Sequence, residues 1–420
     1  MKNFYTALSF RAIVLNTFLC LVFLFAACDK EEAGPSGPPI IEGVSLVDEA
    51  KADSSFVQAL PGTFVTINGR NLLNTEKVYF NDFNAPFNPT LNTNTHLIVM
   101  IPAGTPTPVT DPNVPNKLRL VTPKGEVSFD FSIVPPPPVI SAVVNENTIP
   151  GQEMTITGAN LLSVSQVIFP GERQVTPSFK NAAGTILKVI MPADLGVTES
   201  GKVRLISAYG NAQWSGEINK FTGTGVISNL EQPSEVSWGV YNWQATGAVR
   251  KNDQALFPGN TGYYLQSTFS AAANNTAYST GSRAGTFTLP GQSLLADLAH
   301  RDLPADTYAL KFEVNTKVGW DAATMILKLG TLYSHRFKPY LTAEGQVFHT
   351  NNSWQTVTVP LNQFRLTANN SSGTGAQAVK VGDIINAEGK VQCIYWLVTE
   401  SKAVAAFDAA FDNFRIVKIK

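Results

Sequence analysis

Short runs in which apolar and polar residues alternate recur along most of this chain. Val78-Tyr79-Phe80, Leu118-Arg119-Leu120-Val121 and Val203-Arg204-Leu205-Ile206 are examples. A period of two puts alternate side chains on one face of a strand, so the pattern predicts β structure. In the C-terminal half it predicts strands over 307–316, 325–329, 354–360, 391–399 and 412–420. In the first of these, Tyr308, Leu310, Phe312 and Val314 share one face. One stretch departs from the alternation. The sixteen residues from Ala12 to Ala27 are apolar almost throughout and follow Lys2 and Arg11. That run is shorter than the ~20 residues a helix needs to span a bilayer. Charge, apolar run and then small residues is the order of a secretory signal.

The pattern also repeats on a longer scale. Pro61-Gly62, Thr66-Ile67-Asn68-Gly69-Arg70-Asn71-Leu72-Leu73 and Val78-Tyr79-Phe80 return 89 residues later as Pro150-Gly151, Thr155-Ile156-Thr157-Gly158-Ala159-Asn160-Leu161-Leu162 and Val167-Ile168-Phe169. Pro-Gly predicts a tight turn. The following strand ends at Gly and leads into an Asn-bearing turn, where a positive φ is readily adopted. Each copy opens after prolines, at Pro38-Pro39 and at Pro135 to Pro138. Four consecutive prolines predict a stiff extended joint of ~12 Å. Neither copy clusters catalytic groups, and Gly196 to Val203, G-x-x-x-x-G-K-V, lacks the hydroxyl of a phosphate-binding loop. The copies are therefore expected to be spacers.

Composition narrows the class. Hydrophobic residues are 44 % of the 420 and charged residues 15 %, which excludes a disordered chain or a coiled coil. With 31 basic and 32 acidic residues the net charge is −1, which offers nucleic acid no general attraction. The cysteines are Cys20, Cys28 and Cys393. Phe25-Ala26-Ala27-Cys28 resembles a bacterial lipobox, which implies cleavage before Cys28 and a lipid on its thiol. Cys393 is then alone, and no disulfide is expected. Asp29-Lys30-Glu31-Glu32 and the Gly/Pro segment after it read as a solvated tether. This acidic run resembles the export signal of Bacteroidota lipoproteins displayed on the outer membrane's outer face.

The P-G … I-x-G-x-N-L core of the repeats resembles the IPT/TIG module, a small immunoglobulin-like sandwich. After Phe221–Gly225 the composition shifts, for five of the six Trp and eight of the eleven Tyr lie beyond it. Trp354 to Phe364 and Phe411 to Val417 look like strands of jelly-roll carbohydrate-binding modules. The expected fold is all-β: a signal peptide at 1–27, a tether at 28–37, IPT/TIG-like modules at 38–134 and 135–222, and a larger jelly-roll sandwich at 223–420. A fragment from Val226 to Lys420 is expected to fold alone and to keep most of the affinity. The whole resembles a surface glycan-binding lipoprotein of SusC/SusD-associated polysaccharide utilisation. The resemblance implies a polysaccharide ligand, a lipid anchor in the outer membrane, and a SusC/SusD-like transporter and surface glycosidases as partners.

Pyranose rings have an apolar C–H face that rigid aromatics stack on, and a hydroxyl rim that polar side chains bond. Trp320 stands in the polar loop Lys317-Val318-Gly319-Trp320-Asp321, and Tyr278 in Asn274 to Ser279, so both are candidate stacking rings. Tyr395 and Trp396 point to opposite faces of one strand, so one is expected in the core and the other towards ligand. Trp243 and Tyr333 are further candidates, with Asp321, Asn315 and Arg283 as rim partners. Trp354 and Tyr263-Tyr264 read as core. The four histidines show no metal-ligand spacing. Asp408 and Asp412 are the residues a structural calcium would use, but no metal and no cofactor is expected. Linear xyloglucan, β-glucan or mannan suits a flat platform. The competing readings are a protein-binding adhesin or scaffold, and a glycosidase. The glycosidase would need two facing carboxylates among Asp302, Asp306, Glu313, Asp321 and Glu344.

Overall fold

The computed structural model describes residues 34–48, 54–196, 199–232, 248–260, 262–276, 283–287 (backbone), 293–367 and 373–420. The fold is all-β, and the chain divides into two compact units, 1–135 and 136–420. The boundary falls inside the run Pro135 to Pro138.

The first unit is module 1, a sandwich of two antiparallel sheets. One holds the strands Ile40–Leu46, Phe64–Arg70 and His96–Met100. The other is built on Lys77–Phe80, Lys117–Thr122 and Gly125–Asp130. Val44, Val65, Ile67, Val78, Phe80, Leu97, Leu118 and Leu120 fill the space between. Module 2 repeats the design, with Val143, Met154, Ile156, Val167, Phe169, Leu187, Val189 and Leu205 inside.

The repeated motif has the same physical use in both copies. Gly62 and Gly151 both sit at φ 83°, and each N–H donates to the strand that closes the sheet, at Ile101 O (2.7 Å) and Met191 O (2.9 Å). A Cβ on Gly69 would lie 1.9 Å from Ile40 O, and one on Gly158 would lie 1.9 Å from Val139 O, so only glycine fits. Asn71 and Asn160 adopt φ 60° and 58°. Their Nδ2 groups donate to Pro38 O and Pro137 O, each at 3.0 Å, tying the module's entrance to its motif.

The C-terminal domain packs a six-stranded sheet on a five-stranded one. The six-stranded sheet runs in the order Ala248–Lys251, Tyr264–Ala271, Val404–Lys418, Tyr308–Thr316, Gln355–Pro360, with Val226–Ser228 also on Val404–Lys418. The five-stranded order is Arg283–Phe287, Gln392–Thr399, Ala323–Leu329, Tyr333–Phe337, Arg365–Leu366. Leu310, Phe312 and Val314 meet Met325, Leu327, Tyr395 and Leu397 in the core between them.

The Tyr308–Thr316 strand is buried on both faces, where the alternation predicts burial on one. Its second face carries Lys311 and Glu313, and module 2 covers them. Arg415 Nη1 and Nη2 bond Glu313 in a fork at 2.9 and 2.8 Å, and Nη2 also reaches Glu146 of module 2 at 2.9 Å. Lys311 Nζ donates to the other Glu146 oxygen, and Trp214 Nε1 donates to it at 3.2 Å. Thr356 Oγ1 donates to Glu313 at 2.8 Å and accepts from Glu146 N at 2.9 Å. The four charged side chains are 1–3 % exposed. Burial alone would raise the Glu146 carboxyl, but Arg415 and Lys311 overcome it and hold it below its usual value. Burial would likewise depress Arg415, and Glu313 with Glu146 reverses that. Two carboxylates thus balance two cations in the interior, the arrangement that makes such burial tolerable.

This corrects one expectation: module 2 is packed into one unit with the C-terminal sandwich rather than being a free spacer. Lys311 and Arg415 of the sandwich take Glu146 of module 2 as a partner.

Candidate functional site

Several expected ligand residues lie in the interior. Trp320 is 1 % exposed. Its N–H and C=O pair with Phe348 at 2.9 Å each, which turns the ring inward. There it meets Phe337, Phe348, Phe407 and Phe411 edge-on, and Nε1 donates to Ala323 O. It is core packing and not an exposed stacking ring. Tyr395 is also interior, stacked near Phe414, with its hydroxyl 2.7 Å from Ser267 Oγ. Asn315 is fully buried and accepts from Thr350 Oγ1 at 3.0 Å, so it cannot serve as an open rim partner. Tyr333 is half-buried and packs against the core, and burial raises its phenol. Asp321 remains accessible but pairs with Lys402. Trp243, Tyr278 and Cys28 lie outside the described residues.

Trp396 does point away from the core, as alternation requires, but it too has no exposed area. It forms a separate cluster with Ile326, Ile394 and Val398 on the outer face of the five-stranded sheet. Register fixes its neighbours. Arg283 and Ile326 lie opposite Trp396, and Arg336 lies opposite Ile326. One row across the sheet therefore reads Arg283, Trp396, Ile326, Arg336.

At the end of this face Glu400 gathers three donors. Arg336 Nη2 and Thr324 Oγ1 (3.2 Å) reach one carboxylate oxygen, and Lys338 Nζ reaches the other at 2.6 Å. Partial burial would raise the Glu400 carboxyl, but bonds from Lys338 and Arg336 bring it down to about 2. Arg336, Lys338 and Glu400 retain 27 %, 22 % and 35 % exposure, so the fixed cluster is reachable from solvent. Oriented donors reachable from solvent suit the hydroxyl rim of a sugar ring, whereas the apolar row beside them is itself buried. The polar side of Tyr333–Phe337, with Ser334 and Arg336 alternating against His335 and Phe337, was a legible signal for this face. The meeting with Glu400 was not, because it depends on pairing between distant strands.

Little else among the described residues offers chemistry. Cys393 is buried, and burial pushes its thiol up to about 12. Asp412 is fully enclosed, accepts from Asn260 and from Asn413 N, and burial raises its carboxyl well above the usual range. Asp408 accepts from Gln266 at 2.7 Å. Among the described residues no group of three or more His, Cys, Asp or Glu side chains could hold a metal ion. No helix among them is long and apolar enough to cross a membrane.

An IPT/TIG domain-containing protein of Bacteroides ovatus is 28 % identical over 174 residues, 41 % of this chain and 35 % of that relative. The match therefore spans about a third of the relative's length. The surface glycan-binding protein PbSGBP-B of Prevotella bryantii shares the fold, with a TM-score of 0.63 at 21 % identity over 92 % of this chain and 100 % of that one. SGBP-B from a complex xyloglucan utilization locus in Bacteroides uniformis aligns over 91 % of this chain and 100 % of its own, at 18 % identity and a TM-score of 0.48. Residues 220–418, behind the two IPT/TIG-like modules, match the family model described as the surface glycan-binding protein B xyloglucan binding domain.

Proposed function

We propose that this protein captures a β-glucan chain, xyloglucan first among them, at the cell surface without cleaving it. The family match over residues 220–418 carries this reading. The C-terminal domain supplies the site, with the solvent-reachable cluster of Arg336, Lys338 and Glu400 on the five-stranded sheet as its polar part. The stacking rings of this reading are Trp243 and Tyr278, the aromatic candidates that remain once Trp320, Tyr395, Trp396 and Tyr333 are set aside as packed. A lipid on Cys28 holds the protein at the outer membrane, where a SusC/SusD-like transporter and surface glycosidases take over the captured chain. No cofactor is required. Four of the five carboxylates that hydrolysis would recruit are already committed to cations: Asp302 to Lys380, Asp306 to Lys420, Glu313 to Arg415 and Asp321 to Lys402.

Native electrophoresis of the intact chain through gels containing xyloglucan, mixed-linkage β-glucan or mannan tests the reading. Retardation by xyloglucan with no release of reducing ends is the expected outcome. Unaltered mobility in all three gels overturns it. Trp243→Ala and Tyr278→Ala should each weaken binding by roughly 1–3 kcal/mol, the range for a lost aromatic anchor. Trp320→Ala should lower the melting temperature instead.

A further inference from the structure

We propose that the crevice between module 2 and the C-terminal sandwich is a second ligand site, for a sugar residue that carries a carboxylate. The crevice encloses about 560 Å³, within the range of small-molecule sites, which favour domain junctions. Its apolar wall is Leu294, Tyr308 and Ile416 from the sandwich. Lys202 and Lys220 of module 2 line it, as do Lys418 at the end of the last strand and Lys420 beyond it. Against these four lysines the lining holds one carboxylate, Glu217, which pairs with Lys220 at 3.1 Å. Lys420 pairs outward with Asp306. Lys202 and Lys418 have no ion pair among the described residues, so two ammonium groups border an apolar crevice without a counter-charge.

The neighbouring network of Glu146, Glu313, Lys311 and Arg415 is balanced and lends the crevice no net charge. It does fix the two walls to each other, so the site is formed before a ligand arrives, which reduces the ordering cost of binding. A neutral glucan offers these lysines nothing but hydroxyls. A uronic acid offers a C–H face to the apolar wall and a charge to Lys202 and Lys418. The choice of a sugar as the carrier rests on the glycan-binding reading, whereas the choice of an anion does not.

Calorimetric titration of the intact chain tests this with three probes: xylotetraose bearing one glucuronic acid, unsubstituted xylotetraose, and sodium acetate. Saturable binding of the acidic oligosaccharide alone is expected. The double variant Lys202→Glu/Lys418→Glu should weaken it by about tenfold or more, with melting temperature and xyloglucan retardation unchanged. Equal binding of both oligosaccharides, or an unaffected double variant, overturns the proposal. Acetate that competes at equal strength shows a simple anion site and overturns the sugar assignment. Acidic-probe binding that persists where xyloglucan retardation is absent would sink the β-glucan reading and leave this one standing.

Discussion

Module 1 and module 2 bury equivalent motif residues and differ in what lies beyond their first strand. In the shared register Val44 pairs with Ile67, and Val143 pairs with Ile156. Three residues on, module 1 has Val47, 45 % exposed, where module 2 has Glu146, 2 % exposed and bonded to two cations of the sandwich. The motif therefore specifies a sandwich and leaves its outer surface free for another use. One acidic residue, with Trp214, Asn147 and the Thr356 contacts around it, makes the second copy part of its neighbour. An internal repeat predicts equal folds and says nothing about equal independence.

The comparison breaks most sharply at Arg415. Arg415→Ala leaves Glu146 and Glu313 buried with Lys311 as their remaining cation, which should cost about 3–5 kcal/mol. Differential scanning calorimetry should show the transition of residues 136–420 moving down while that of module 1 stays in place. Equal shifts in both transitions would mean that the modules are not distinct in this way.

A smaller effect sharpens the same contrast. Asn71→Ala and Asn160→Ala each remove a 3.0 Å bond to a proline carbonyl at a left-handed residue. Each should cost on the order of 1 kcal/mol. Denaturant titration should assign the first loss to module 1 alone and the second to the unit that includes the C-terminal domain. A domain that keeps its midpoint in Asn160→Ala would show that the junction does not couple them.

The smallest expected effect concerns a charge cluster that module 2 does not touch. Glu400 titrates at about 2 in the folded protein, against an ordinary 4.5. Its stabilising contribution is complete above the higher value and is lost as pH falls through the lower one. Glu400→Gln should therefore flatten the fall in melting temperature between about pH 4.5 and 2. The contribution is modest because the group is 35 % exposed and solvent weakens its pairs. An acid slope identical to that of the parent would show that Arg336 and Lys338 do not hold this carboxylate in solution.

Local signals were legible in the sequence. Pro-Gly, the glycine at the close approach and the left-handed asparagine each act within a few residues, so their roles could be read in order along the chain. The facing residues Tyr308, Leu310, Phe312 and Val314 were likewise visible as a period of two. Trp320 was not, because its surroundings Lys317, Gly319 and Asp321 are polar in sequence while its ring partners Phe337, Phe407 and Phe411 come from other strands. Tyr395 and Trp396 do face opposite ways, but both faces of their strand are buried, which alternation alone does not report. Glu146 looked like any acid in a turn, since its partners are 165 and 269 positions away.

The depth of the Glu146–Arg415 network has a consequence for the medium the protein works in. Mobile ions damp attraction between exposed charges over about 8–10 Å at ordinary ionic strength, but they cannot enter a site that excludes water. Surface pairs such as Lys117–Asp130 or Lys380–Asp302 fade as salt rises. The joint between module 2 and the sandwich should lose far less of its strength between dilute and briny surroundings.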